Sequence, residues 1–282
     1  MNILTFDIEE WFHLLDNEST KTEKEWSKYE SRIHQNMDRI FDLLDKNSQK
    51  ATFFVMGWIA DKYPEIVKEI VSRGFEIGSH THLHQLAYNQ TKSEFRNDVE
   101  RSIKVLEDIS GEKVKYFRAP GFSITGENIW AFETLFELGI EIDCSVFPAG
   151  RAHGGLPTYG VAEPSVINYN DITLKELPIN TFSILNKPFI FSGGGYFRLL
   201  PYSIVSRMTS KSSYVMSYIH PRDLDFSQPV IKELSMLRKF KSYVGLKGAE
   251  AKLERWISDY TFIDINQANQ IIDWDKVKKI NF

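Results

Sequence analysis

The chain has 282 residues, 42% of them hydrophobic and 26% charged, with a formal net charge of −4 at pH 7. That is ordinary for a globular protein and long enough for a buried core. Lysine and arginine are scattered, so neither nucleic acid nor an anionic membrane surface is an expected partner. The single cysteine, Cys144, excludes an intrachain disulfide and reads as a small buried hydrophobe.

The opening MNILTFDIEEWF predicts a short apolar strand at 2–6, followed by Asp7, Glu9 and Glu10. Its apolar run is too short for a secretory leader, and nothing approaches the roughly 20 apolar residues of a membrane span, so the chain reads as cytoplasmic. Over 26–47, Ile33, Met37, Ile40, Phe41 and Leu44 recur at helical spacing. ATFFVMG (51–57) and FEIGS (75–79) read as strands around a helix at 64–74 that opens on Pro64 and closes on Gly74. Thr91 and Glu94 have the spacing of a capping box. The helix they start carries Phe95, Val99, Ile103, Leu106 and Ile109 on one face and ends at Gly111.

Strands follow at 114–117 and 140–147 with a helix at 126–139 between them, then strand-like runs at 172–179 and 213–219. The stretch 148–171 reads as a surface loop. The stretch 182–211 reads as an insertion of unassigned structure, and its FSGGGYF lacks the ending of a phosphate loop. Strands alternating with helices predict parallel βαβ units, closed as a barrel or open as a doubly wound sheet. No repeat or linker divides the chain. Residues 1–282 therefore read as one domain, with a core over 1–225 and a C-terminal helical extension over 226–282.

The unusual polar residues fall where such folds carry their chemistry, at the carboxyl ends of strands. Asp7, Glu9 and Glu10 follow the first strand, His80 and His84 the third, Arg118 the fourth and His220 the last. His80 and His84 are four apart in EIGSHTHLHQ. On one helical turn both rings would face the same way, as adjacent metal ligands must, and His82 would point elsewhere. Two imidazoles and one carboxylate from Asp7, Glu9 or Glu10 make a site of catalytic type, suited to zinc, with cobalt as an alternative. Trp11 and His153 are candidate substrate contacts, with His13 and His82 behind them, and Asp143 is a candidate to orient a catalytic partner.

In order, TFDIEE, HTHLH, RAPG and SYIHP resemble the motifs of the polysaccharide deacetylase (NodB-homology) family, carbohydrate esterase family 4, over residues 3 to about 225. The resemblance implies a distorted (β/α) barrel of about seven parallel strands with outer helices. It also implies hydrolysis of an N-acetyl group from an amino sugar in a glycan or glycan precursor, by water activated on a divalent metal. Asp7 would then be the general base, His80 and His84 metal ligands, and Glu9 or Glu10 the carboxylate ligand, with the D-x-[DE] pattern favouring Glu9. Arg118 would fix Asp7 by a bidentate ion pair, Pro120 would form a wall beside it, and His220 would be the general acid.

The glutamates depart from the family's commoner pair of aspartates. An oxyanion-binding N–H is expected from the loop after strand 140–147. Two rival readings remain. One is a C–N hydrolase of a cyclic ureide or imide on the same fold. The other is an inactive glycan-binding protein, which would lack a base, ligand or acid.

Overall fold

The computed structural model describes residues 1–15, 17–151, 153–184 and 187–282. Its strands are β1 (Asn2–Ile3), β2 (Thr5–Ile8), β3 (Thr52–Val55), β4 (Glu76–Ser79), β5 (Tyr116–Phe117), β6 (Ile142–Asp143), β7 (Ser165–Tyr169), β8 (Ile172–Glu176), β9 (Phe182–Ile184), β10 (Lys187–Phe189), β11 (Val215–Met216) and β12 (Lys278–Asn281). Strands β2, β3, β4, β5, β6 and β8 pair in that order, all parallel. β11 adds to β1 in parallel, and a further bridge joins Phe6 to Ile219.

The wall is thus a distorted barrel of seven parallel positions, β1 and β2 sharing one of them. No ladder joins β8 to β11 among the described residues. Side chains span that gap: Tyr214 donates to the Pro178 carbonyl at 2.8 Å and Asn180 accepts from the Met216 N–H at 3.0 Å.

Alternation along each strand sorts the core into two shells. Phe6, Ile8, Phe53 and Val55 pack outward under the helices, while Ile3, Phe54, Tyr116, Ile142 and Met216 fill the barrel. Burial on both faces is why TFFV reads as an unbroken apolar run rather than an alternating one. The helix Lys92–Ser110 starts with the expected capping box at Thr91 and Glu94 and ends on Gly111 at φ 73°.

Several elements differ from the sequence expectation. The first long helix spans Ile33–Asn47 rather than 26–47, because the Glu10 carboxylate receives the N–H groups of Arg32 and Ile33 and sets its start. The expected loop 148–171 contains β7, which pairs antiparallel with β8 through a turn at Asn170 (φ 49°). Within 182–211 lie β9, β10 and helices Gly194–Leu199 and Tyr202–Lys211. Gly193 makes this segment possible: a Cβ there would sit 2.2 Å from the Tyr218 carbonyl, so only glycine lets the backbone lie against β11's exit.

The segment 226–282 holds helices Met236–Tyr243, Ala249–Asp259 and Ile265–Ile271, but it is not purely helical. It ends in β12, which returns to pair with β7. No helix among the described residues is long and apolar enough to cross a membrane.

Candidate active site

Asp7 points into the barrel from β2, and its N–H donates to the Ile219 carbonyl at 2.9 Å, which brings it beside His220. Arg118, handed over at the end of β5, is fully buried and lies 4.3 Å over the Phe54 ring. Its Nη1 donates to Asp7 Oδ1 and to Thr5 Oγ1, each at 2.7 Å, and its Nε to the Cys144 carbonyl at 3.3 Å. The Asp7–Arg118 pair is therefore one N–H on one oxygen, not bidentate, because the guanidinium also serves Thr5 and Cys144. Burial opposes the charge on Asp7, but Arg118, His80 and His220 outweigh it and hold the carboxyl below its usual range.

His80 and His84 meet by a route other than a helical turn. Thr81 and His84 both sit in the left-handed region, at φ 62° and 54°, which is strained for a β-branched threonine. The turn is held by the His84 N–H on Thr81 Oγ1 at 3.1 Å and by Asp98, whose carboxylate accepts from His82 N–H at 2.8 Å and Leu83 N–H at 3.0 Å. The two rings end 5.2 Å apart, and His82 turns away, with Nε2 3.7 Å from Asp61 Oδ2.

His80 Nδ1 lies 2.8 Å from the Arg118 carbonyl. A carbonyl only accepts, so Nδ1 carries the proton and Nε2 keeps its lone pair for a metal. Burial pushes His80 down to about 4, so the ring is neutral.

His84 Nε2 lies 2.6 Å from Glu9 Oε2, and ligand atoms of Glu9, His80 and His84 fall within 4.8 Å of one another. Two imidazoles with one carboxylate fit a divalent metal. Among the described residues this is the one group of His, Cys, Asp and Glu so placed. Glu10 is absent from it because its carboxylate is spent on Arg32, Ile33 and Ser31 at the helix start.

His220 follows β11. Its Nδ1 lies 2.8 Å from Asp223 Oδ2, which also accepts the His220 N–H at 3.0 Å, and Asp223 pairs with Arg198 Nε at 3.0 Å. Burial alone would depress the imidazolium. Asp223 first, then Glu9 and Asp7, outweigh burial and raise it to about 9. Nε2 stands 3.8 Å from Asp7 Oδ2 and 3.9 Å from Glu9 Oε1, beyond hydrogen-bond reach, so its proton is uncommitted.

These groups form the floor of a cavity of about 520 Å³. His153 lines it, with Nε2 3.2 Å from Arg238 Nη1, and so does His13. Trp11 does not: it is core, stacked edge-on against Tyr29 with Nε1 on the Glu30 carbonyl, because the chain turns inward after Glu10. Pro120 is buried behind Ala119 and Gly121, which form the wall themselves.

Asp143 reaches no catalytic group; it accepts from Ser145 Oγ at 2.6 Å and stands in register with Glu176. In the loop expected to supply the oxyanion N–H, those of Cys144 and Val146 are already taken, by the Phe117 carbonyl and Glu176. Sequence reasoning missed Asp98, Arg198 and Asp223. Only Asp223 left a legible signal, an acid three residues after a histidine in HPRD, where it closes a capping box on the turn Pro221–Leu224.

A family model described as Polysaccharide deacetylase matches residues 4–135. That stretch, just under half of the chain, is similar to polysaccharide deacetylases. Residues 144–270 match a second model, described as a domain of unknown function (DUF3473). A peptidoglycan-N-acetylglucosamine deacetylase from Bacillus cereus is 35% identical over 99 residues, which is 35% of this chain and 36% of that protein. The chain thus spans little more than a third of that relative's length.

A solved structure described as a candidate polysaccharide deacetylase from Mycobacterium smegmatis superposes with a TM-score of 0.68 at 18% identity, over 99% of this chain and 92% of that one. A mutant of a Bacillus anthracis pseudoenzyme of the CE4 family, with activity restored, gives 0.50 at 14% identity over 99% and 69%. At these identities the structures speak for the fold, a deacetylase-type (β/α) barrel.

Proposed function

We propose that this protein is a metal-dependent hydrolase that removes an N-acetyl group from an amino sugar in a glycan or glycan precursor. The observation that carries the reading is the convergence on one cavity floor of the Glu9–His80–His84 cluster with an ionised carboxylate, Asp7, and a protonated imidazole, His220. The deacetylase named among the relatives supports the substrate class.

A divalent ion held by Glu9, His80 and His84, zinc or cobalt by its donor set, would bring the pKa of a water to roughly 7 and polarise the acetyl carbonyl. Asp7, kept ionised and in place by Arg118, accepts the proton that the attacking water gives up. His220 delivers the proton of Nε2 to the departing amine, which is a poor leaving group without it. Asp223 and Arg198 behind the ring keep Nδ1 engaged and the proton on Nε2. An inactive glycan-binding protein would lack one of these parts, and none is missing.

The test is acetate release from N-acetylglucosamine oligomers by metal-stripped protein, with and without added zinc or cobalt. Release that needs the metal and falls about 10²–10⁴-fold in Asp7→Asn is the expected result. Bound metal with no release from any N-acetyl sugar would overturn the reading and move the search to cyclic ureides and imides.

A further inference from the structure

The cavity is unevenly charged. Its walls carry Arg151, Arg198, Arg222, Arg238 and Lys241, whereas Asp7, Glu9 and Asp223 are the carboxylates that line it. Each carboxylate is committed: Asp7 to Arg118, Glu9 to the metal cluster, Asp223 to His220 and Arg198.

Arg222 is left over. It lies on the turn Pro221–Leu224 just beyond His220, is 7% exposed, and has a buried Nη2 without a hydrogen-bond partner. Among the described residues its guanidinium has no carboxylate in contact: Asp223 and Glu9 attract it only from farther off, and the Tyr243 ring lies 5.9 Å from Cζ. Lys241, on the helix Met236–Tyr243 that overhangs the cavity, likewise has no carboxylate partner there.

A guanidinium taken out of water with no carboxylate hydrogen-bonded to it is a costly arrangement for packing alone. Its planar fork of N–H donors matches a carboxylate or a phosphate, which would supply the missing charge and acceptors together. The apolar walls of the same cavity, Phe122, Phe147 and Tyr218, lower its dielectric and strengthen such a contact.

We propose that the cavity recognises an anionic group, a carboxylate or phosphate, carried by the substrate near its N-acetyl sugar, with Arg222 as the buried anchor and Lys241 at the rim. The identity of the sugar rests on the deacetylase reading; the anion site does not, since it is detected by binding alone.

Calorimetric titration of the zinc-loaded protein with N-acetylglucosamine, N-acetylglucosamine 1-phosphate and an N-acetylated hexosaminuronic acid tests it, with acetate release followed in parallel. At least one charged probe is expected to bind about tenfold or more tightly than the neutral sugar, an advantage that shrinks as salt is raised from low to physiological strength. Arg222→Gln is expected to abolish that advantage, Arg222→Lys to restore part of it, and Lys241→Gln to reduce it about two- to threefold. Preference for the phosphate assigns a sugar phosphate or phosphate-linked glycan, and preference for the uronic acid an acidic glycan.

Equal affinity for charged and neutral probes would overturn the proposal, as would an advantage that survives Arg222→Gln. Should Arg222→Gln fail to fold, an advantage insensitive to both salt and Lys241→Gln overturns it instead. Anion preference without acetate release from any probe would sink the deacetylase reading and leave the anion site standing; release without preference would do the reverse.

Discussion

Residues 4–135 and 144–270, the stretches matched by two different family models, build the two sides of one site in different ways. The first is sequential. β2, β3, β4 and β5 lie side by side in chain order, and their exits deliver Asp7, the Glu9–His80–His84 cluster and Arg118. The second is not: β8 skips β7 to reach β6, and β11 crosses to β1. It supplies His220 with its supports Asp223 and Arg198, together with the cationic wall. Long-range ties hold it in place, such as the pairing of Arg32 with Asp225, 193 residues apart. The groups assigned to the water and the metal stand on regular βα units, while the group assigned to the leaving amine and the cationic walls stand on irregular segments.

The sharpest way to break this comparison is to disable each side in turn. His84→Ala is expected to lose metal binding and acetate release together, whereas His220→Asn should lose about 10²–10⁴-fold in kcat with metal content unchanged. Metal analysis beside initial rates checks both, and a His220→Asn variant that loses its metal would join the two sides into one unit.

A smaller effect tests the seam between them. Asp143 of β6 and Glu176 of β8 are paired in register and buried; burial raises Asp143 to about 6 and Glu176 well above its usual range, from which we expect the two to share a proton. Carboxyls raised in the folded state stabilise it fully below the unfolded carboxylate range, and that contribution is lost as pH climbs through Asp143's value. The wild type is therefore expected to lose on the order of 3 kcal/mol between pH 4 and 7 relative to Glu176→Gln, whose amide donates to Asp143 at every pH. Urea midpoints of the two proteins across that range measure it; parallel curves would refute the shared proton.

The smallest effect separates neighbouring glutamates. Glu10→Ala should cost about 1–3 kcal/mol by stranding the N–H groups of Arg32 and Ile33, with metal affinity unchanged. Loss of metal instead would return Glu10 to the site.

Much of the first side was legible in the chain itself. Periodicity, the Thr91–Glu94 capping box and the continuous apolar TFFV mark its elements because local preference and burial agree there. The chemistry-bearing residues stand just past strand ends, so their convergence follows from parallel topology alone. The second side was harder to read: β7 lay hidden in a stretch full of glycine and proline, and β11 is paired over only two residues, so neither gives a strong pattern.

The order and identity of Asp7, His80, His84, Arg118 and His220 were determined by the sequence, since Asp7 lies in a strand and the others follow strands whose direction the alternation dictates. Tertiary structure alone decided that Glu9 joins the metal cluster while Glu10 starts a helix, because the two differ only in which way the backbone turns after β2. It also decided that the histidine pair meets through left-handed residues pinned by Asp98, that Trp11 is core, and that Arg222 lines the cavity with no carboxylate in contact. Each of these depends on a partner distant in the chain, and spacing along a sequence carries no record of such partners.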